Sequence, residues 1–185
     1  FQPKTKNCPK SLNNLLVLGG SLGAKKINEL IPLIKTPLNI WHQTGDSHIE
    51  ATKLAYQDSL HLNVHIESFI ENMAEAYVWA DLVICRAGAM TISELIATKS
   101  IAILIPFPYA VNDHQTQNAK KLSDAGAGLL LDESDLDANE VDNILQKMAP
   151  VKLELMTNIL GKLQTENAEK VIADYLLIPS RSNSN

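Results

Sequence analysis

Between residues 15 and 131, short apolar runs alternate with stretches in which apolar residues recur every three or four positions. The runs at 15–18, 38–42, 63–66, 82–85, 101–105 and 128–131 are rich in Leu, Ile and Val and read as strands. Ile27, Leu30, Ile31 and Ile34 fall on one helix face, as do Met73, Ala76, Tyr77 and Ala80. Pro32 has no amide hydrogen, so a bend is expected in the first of these helices. Such alternation is the α/β pattern: a Rossmann-like parallel sheet of about six strands, helices on both faces and right-handed crossovers. Ligands of such sheets sit outside the carboxyl ends of the strands.

Past Asp132 the period is helical only, through Val141, Ile144, Leu145 and Met148, then Met156, Ile159, Leu160 and Leu163, then Val171, Ile172, Tyr175 and Leu176. These segments predict extra C-terminal helices. Residues 1–13 hold two prolines and no period, which reads as a flexible lead-in or linker remnant, and residues 179–185 as a disordered tail. One domain over 14–178 is therefore expected.

The candidate chemistry lies in the turns after strands. Gly19-Gly20-Ser21-Leu22-Gly23-Ala24 follows the first strand, and Arg86-Ala87-Gly88-Ala89-Met90-Thr91 follows the fourth, leading into a helix that carries Ser93 and Glu94. A helix start presents unpaired N–H groups and partial positive charge, and glycine lets a backbone approach an anion closely. Two such turns at one sheet edge would cradle a diphosphate. A tight turn without ligand is the alternative for the first, and a capping box for the spacing of Thr91 and Glu94. Ser68-Phe69-Ile70-Glu71 reads as another helix start, or as a place where Ile70 offers backbone groups to a base edge and packs its side chain on the ring. A helix opening near Asp113 would put Gln115 and Asn118 on one face, with His114 one turn from Asn118. Uncharged amides suit sugar hydroxyls, while a solvated, capped helix start is the plainer alternative.

Composition narrows the choice further. At 185 residues the chain can bury roughly 70% of its unfolded surface as one domain. A net charge of −5 disfavours nucleic acid as the main ligand. Cys8 and Cys85 show no metal spacing, and Cys85 ends an apolar run where a buried thiol is expected. His42, His48, His61 and His65 form no metal motif, so no metal is expected. The first turn is not G-x-G-x-x-G, and the second strand ends Ile40-Trp41-His42-Gln43 without the acid a nicotinamide ribose takes. Neither a membrane span nor a signal-peptide core is present, which suggests a cytosolic protein, and a start without Met suggests an excised piece.

The ordered string Leu18-Gly19-Gly20-Ser21-Leu22-Gly23-Ala24, Ile40-Trp41-His42-Gln43-Thr44-Gly45, Phe69-Ile70, Ala80 through Glu94, Ile105-Pro106-Phe107-Pro108 and His114-Gln115-Thr116-Gln117-Asn118-Ala119 resembles the MurG family of peptidoglycan N-acetylglucosaminyltransferases. The resemblance covers about 14–175. It implies the C-terminal, donor-binding half of a GT-B enzyme, whose other half receives a lipid acceptor and touches the membrane. It further implies transfer of GlcNAc from UDP-GlcNAc to lipid I, giving lipid II with anomeric inversion, on the cytoplasmic face of the bacterial inner membrane, without a cofactor. By position, Gly20, Ser21 and Gly23 match the family's phosphate loop, Ile70 its uracil contact, and Ala89, Met90 and Thr91 its second diphosphate turn. Glu94 matches the ribose carboxylate, and Gln115 and Asn118 the amides that read GlcNAc, with His114 beside them. Leu22 stands where many members carry glutamine. The general base belongs to the other half. A donor-binding subunit of a two-component transferase, or a UDP-sugar module without turnover, fits the same residues.

Overall fold

The structure, a computed structural model, describes residues 6–19, 24–109 and 113–176. Six parallel strands, β1 (Asn14–Leu18), β2 (Asn39–Gln43), β3 (Asn63–Glu67), β4 (Leu82–Cys85), β5 (Ala102–Leu104) and β6 (Gly128–Leu130), form one sheet in the order β3-β2-β1-β4-β5-β6. Each lies within one residue of its expected run at either end. The helices are α1 (Lys25–Leu30), α2 (Ile49–Ala55), α3 (Met73–Trp79), α4 (Ala89–Thr98), α5 (His114–Asp124), α6 (Ala138–Gln146) and α7 (Pro150–Leu176).

Central strands covered on both faces need apolar side chains in both directions, and Leu15, Leu16, Val17, Val83 and Ile84 are all shut from solvent. Successive residues of β2 reveal the two layers. His42 bonds to Asn28 of α1 and to Tyr56 just past α2, whereas Trp41, pointing the other way, meets Trp79 of α3. On that second side α4 packs against α3, α5 and α7.

Local chemistry sets the helix ends. In an α-helix Pro32 would clash with the carbonyl of Asn28, so α1 stops at Leu30 and tightens into a 3₁₀ turn over Ile31–Leu33. The bend expected at Pro32 is this change of helix type. The helix start expected at Ser68-x-x-Glu71 lies four residues later. Asn72 caps α3 by accepting from the Glu75 amide at 3.2 Å, and its side-chain amide donates to the Glu75 carboxylate at 2.9 Å. Asn competes with Ser as a cap, and the reciprocal pair Asn72-x-x-Glu75 satisfies two donors at once. Helix α5 opens after Asp113, as its sequence suggests. The last two stripes beyond Asp132 lie on one long helix, α7, whose Leu153, Met156 and Leu160 are buried.

Residues 6–13 carry no regular element yet touch the body of the domain: Lys6 Nζ donates to Ser100 Oγ at 3.4 Å and the Asn13 amide to Asp81 at 2.9 Å. The tail 179–185 lies outside the described residues.

Strand order fixes where a ligand crevice opens. From β1 the chain moves outward through β2 to β3, then returns past β1 to β4 and moves outward the other way, so the sense of winding reverses between β1 and β4. This is the topological switch point of a doubly wound sheet. The last residues of the two strands, Leu18 and Cys85, are register partners, so β1 and β4 end side by side at the carboxyl edge.

Candidate functional site

The turn after β4 is built to present backbone donors. Gly88 is the N-cap of α4, and the first intrahelical bond runs from Ile92 N to Gly88 O at 3.0 Å. The amides of Ala89, Met90 and Thr91 precede that bond and have no partner within the helix. Thr91 is therefore the third residue of the helix, not its cap, and Glu94 lies a turn further in. The capping-box explanation of this pair is overturned: Ser93 Oγ bonds back to Ala89 O, and no side chain caps the helix. Gly88 has φ −62° and ψ 150°, open to any residue, and a Cβ there would meet nothing nearer than Thr91 Oγ1 at 3.8 Å. The fold itself does not require glycine at this position.

Glu94 is half-buried and accepts from the Tyr77 hydroxyl at 3.0 Å, which holds one carboxylate oxygen against α3. Tyr77 is fully buried, and burial first, then the nearby Cys85 and Glu94, pushes its ionisation far up, so the hydroxyl stays a donor. Burial also pushes the Cys85 thiol up to about 12, leaving it inert at neutral pH. The buried thiol expected at this strand end is what the structure has.

Helix α5 is tied to this turn by its amides. Asn118 Nδ2 donates to Ala87 O at 3.2 Å, and Gln115 Oε1 accepts from the Phe107 amide at 3.0 Å. The partners fix both orientations, because a carbonyl demands the NH₂ and an N–H demands the oxygen. Gln115 keeps its NH₂ and Asn118 its carbonyl oxygen for other uses. His114, the first residue of α5, is exposed. Met90 is exposed as well, at 78%. Ile70 is 1% exposed, its side chain held in the core rather than offered to a ring.

Two features carry no sequence motif. Arg86, first residue after β4, donates from Nη1 to Ile105 O and Pro106 O at 3.2 Å each, pairs with Glu133 just past β6, and lies 5.4 Å over the Phe107 ring. An arginine ending an apolar strand was the available signal; its partner is set by topology. The second is a buried polar cluster between α1 and β2: His42 Nδ1 bonds to Tyr56 OH at 2.8 Å and Nε2 to Asn28 Oδ1 at 3.0 Å, while Asn28 Nδ2 donates to Thr44 O at 3.0 Å. Burial lowers His42 to about 3, so it is a neutral ring bridging α1 to β2. Gly20, Ser21 and Gly23 lie outside the described residues, between Gly19 and Ala24.

A cleft of about 340 Å³ opens at the same edge between Lys26, Pro106, Pro108, Tyr109, Thr116 and the segment 132–134. A larger groove of about 560 Å³ lies on the sheet face instead, lined by Trp41, His65, Trp79, Asn39 and Asn63. Asn39 and Asn63 open their strands, so this groove sits toward the amino ends of the sheet. Among the described residues, no cluster of three His, Cys, Asp or Glu could hold a metal ion, and no helix is long and apolar enough to cross a membrane.

Residues 14–175 match the family model of the glycosyltransferase family 28 C-terminal domain. The chain belongs to this family. A relative from Vesicomyosocius okutanii subsp. Calyptogena okutanii is 44% identical over 178 residues, 96% of this chain and 51% of that protein. One from Cellvibrio japonicus is 51% identical over 138 residues, 71% of this chain and 38% of its own length. Both are named UDP-N-acetylglucosamine--N-acetylmuramyl-(pentapeptide) pyrophosphoryl-undecaprenol N-acetylglucosamine transferase. The chain spans about half the length, or less, of these curated relatives. The crystal structure of Acinetobacter baumannii MurG superposes with a TM-score of 0.75 at 36% identity, over 90% of this chain and 50% of that one. Family, relatives and neighbour bear out the resemblance carried by the motifs. The spinosyn forosaminyltransferase SpnP, at TM-score 0.59 and 14% identity, shares the fold. The Rossmann-like parallel sheet of about six strands expected from the sequence pattern is the fold observed.

Proposed function

We propose that this domain, over 14–178, binds UDP-GlcNAc as the donor half of an inverting N-acetylglucosaminyltransferase that converts lipid I to lipid II. What supports the reading is the register pairing of Leu18 with Cys85 at the β1/β4 switch point, where α4 opens just past β4 and the turn before it is joined to α5 by the Asn118–Ala87 bond. The names of the relatives support the substrates.

In this reading the amides of Ala89, Met90 and Thr91, with Gly20, Ser21 and Gly23 of the first turn, receive the diphosphate. The amides of α4 are fixed dipoles, and they stabilise the charge that grows on the departing β-phosphate without reorganising. The carboxylate oxygen of Glu94 not bonded to Tyr77 accepts from the ribose diol. Gln115 supplies donors and Asn118 an acceptor to the sugar, a complementary pair for one hydroxyl or the acetamido group, with His114 at their edge. Uracil lies near the segment of Ile70, against backbone. Inversion needs a base within about 3 Å of the acceptor hydroxyl proton, and that base and the lipid-binding, membrane-facing surface belong to the remainder of the enzyme, on the cytoplasmic side of the inner membrane. No cofactor enters the scheme.

Isothermal calorimetry with UDP-GlcNAc and UDP tests the reading. Saturable heats for both support it, and flat heats for both across millimolar ligand overturn it.

A further inference from the structure

The geometry points to Arg86 as the positioning residue for the sugar-reading amides, a role that rests on the donor-site reading above. One guanidinium joins three consecutive loops of the carboxyl edge. It starts on the turn after β4, bonds Ile105 O and Pro106 O after β5, and pairs with Glu133 after β6. From there the links continue: the amide of Phe107, next in sequence and under the same guanidinium, holds Gln115 Oε1, and Asn118 on the same helix returns to Ala87, the neighbour of Arg86. The links close into a ring.

A free arginine at the mouth of a diphosphate site would be read as an anion ligand. Here the side chains of Arg86 and Glu133 are both less than one-fifth exposed, and the same Nη1 that donates to two carbonyls also faces the Glu133 carboxylate. Arg86 therefore acts on the donor through Gln115 and Asn118. All three contacts run through Nη1, whose N–H directions are fixed by the guanidinium plane, whereas an ammonium on a flexible stem rotates freely and holds such partners less firmly.

The test compares dissociation constants of UDP-GlcNAc and UDP, measured by calorimetry on this chain. Both ligands carry the same diphosphate, so their ratio cancels any change in phosphate binding. Arg86→Lys retains the charge and removes the planar guanidinium. The expected result is a shift in the ratio of about fivefold against UDP-GlcNAc, the size of one neutral hydrogen bond, with UDP held within about twofold of the parent on the same scale. In a Gln115→Ala background the same substitution is expected to move the ratio less than about twofold, since residues acting in series are not additive. Equal weakening of both ligands, or a full shift that persists without Gln115, would overturn the proposal and leave Arg86 a structural tie. Should Arg86→Lys fail to fold, Glu133→Gln removes the partner charge and is measured by the same ratio: a shift against UDP-GlcNAc supports the proposal, and equal weakening of both ligands overturns it. A parent chain that binds neither ligand overturns the donor-site reading and this proposal together; a parent that binds both, with a ratio unmoved by the variants, overturns this proposal alone.

Discussion

Gly88→Ala separates ligand approach from folding. The backbone there, φ −62° and ψ 150°, is available to alanine, and the added methyl group would sit 3.8 Å from Thr91 Oγ1, at ordinary van der Waals contact. Two small effects on stability oppose each other. Alanine restricts the unfolded chain and stabilises by about 0.4–1 kcal/mol, while as an N-cap it is poorer than glycine by roughly 0.3–1.5 kcal/mol. The net change is expected to stay within about 1 kcal/mol. For a diphosphate lying on the amides of Ala89, Met90 and Thr91 the methyl group is in the way. Displacing the phosphate from one charge-assisted bond costs about 1.5–3 kcal/mol, or roughly 10- to 150-fold in affinity for UDP. Gly88→Ser is the control, because serine caps better than glycine yet also carries a Cβ: it should fold at least as stably and still lose UDP. Urea unfolding gives the first quantity and calorimetry the second. Parent-like UDP affinity in either variant refutes the placement of the diphosphate on this turn, and a stability loss above about 2 kcal/mol refutes the geometry assigned to Gly88.

Other expectations follow from the same network. Glu94→Ala should weaken UDP, and Asn118→Ala should weaken UDP-GlcNAc more than UDP, each by about 0.5–1.5 kcal/mol for a lost hydrogen bond; calorimetry with both ligands separates them, and an Asn118→Ala chain that binds UDP-GlcNAc like the parent removes that residue from the site. His42 is held neutral by burial down to about pH 3, whereas in the unfolded chain it takes a proton below about 6.5. The unfolded state therefore binds more protons in this window, and stability, full above pH 6.5, should fall by up to about 1.4 kcal/mol for each unit toward pH 5; urea titrations should show this slope flattened in His42→Gln, and an unchanged slope would assign it to another group. Asp142 of α6 accepts from the Lys35 amide and from the Thr36 amide and hydroxyl at 2.7–3.0 Å, bonds that outweigh burial and lower its pKa. Asp142→Ala should cost about 2–4 kcal/mol of stability without touching UDP affinity, because Lys35 and Thr36 precede β2 at the amino edge of the sheet; loss of binding in a folded Asp142→Ala chain would contradict that separation.

Strands were legible because a sheet buried on both faces demands continuous apolar runs, and the run 82–85 matches β4 residue for residue. Helix starts were less so. At residues 68–75 two cap signals overlap, and the choice between Ser68 and Asn72 depends on where β3 releases the chain, which the period of side chains does not encode. At residues 88–94 the S/T-x-x-E pattern misled because Gly88 caps with its backbone alone. The candidate amides could be named from their spacing, but their orientation required the partners Phe107 N and Ala87 O, which are separated from them by 8 and 31 residues.

Arg86, Glu133 and His42 mark the deeper limit. A charged or polar side chain that binds nothing itself, and instead fixes the groups that do, has no spacing signature; its partners come from whichever strands the topology makes neighbours. Arg86 and Glu133 stand 47 positions apart, yet the order β4-β5-β6 brings their loops together across one intervening strand. Burial makes such contacts expensive to leave unmade, so they hold their geometry in the absence of ligand. For a donor site that preorganisation matters more than the strength of any single contact. Amides that are already immobile when charge reaches the leaving phosphate stabilise it at full effect, whereas amides that must first be gathered lose part of that stabilisation to reorganisation. Among the described residues, the Arg86 ring and the His42 cluster are two places where this chain commits buried polar groups to holding the carboxyl edge still.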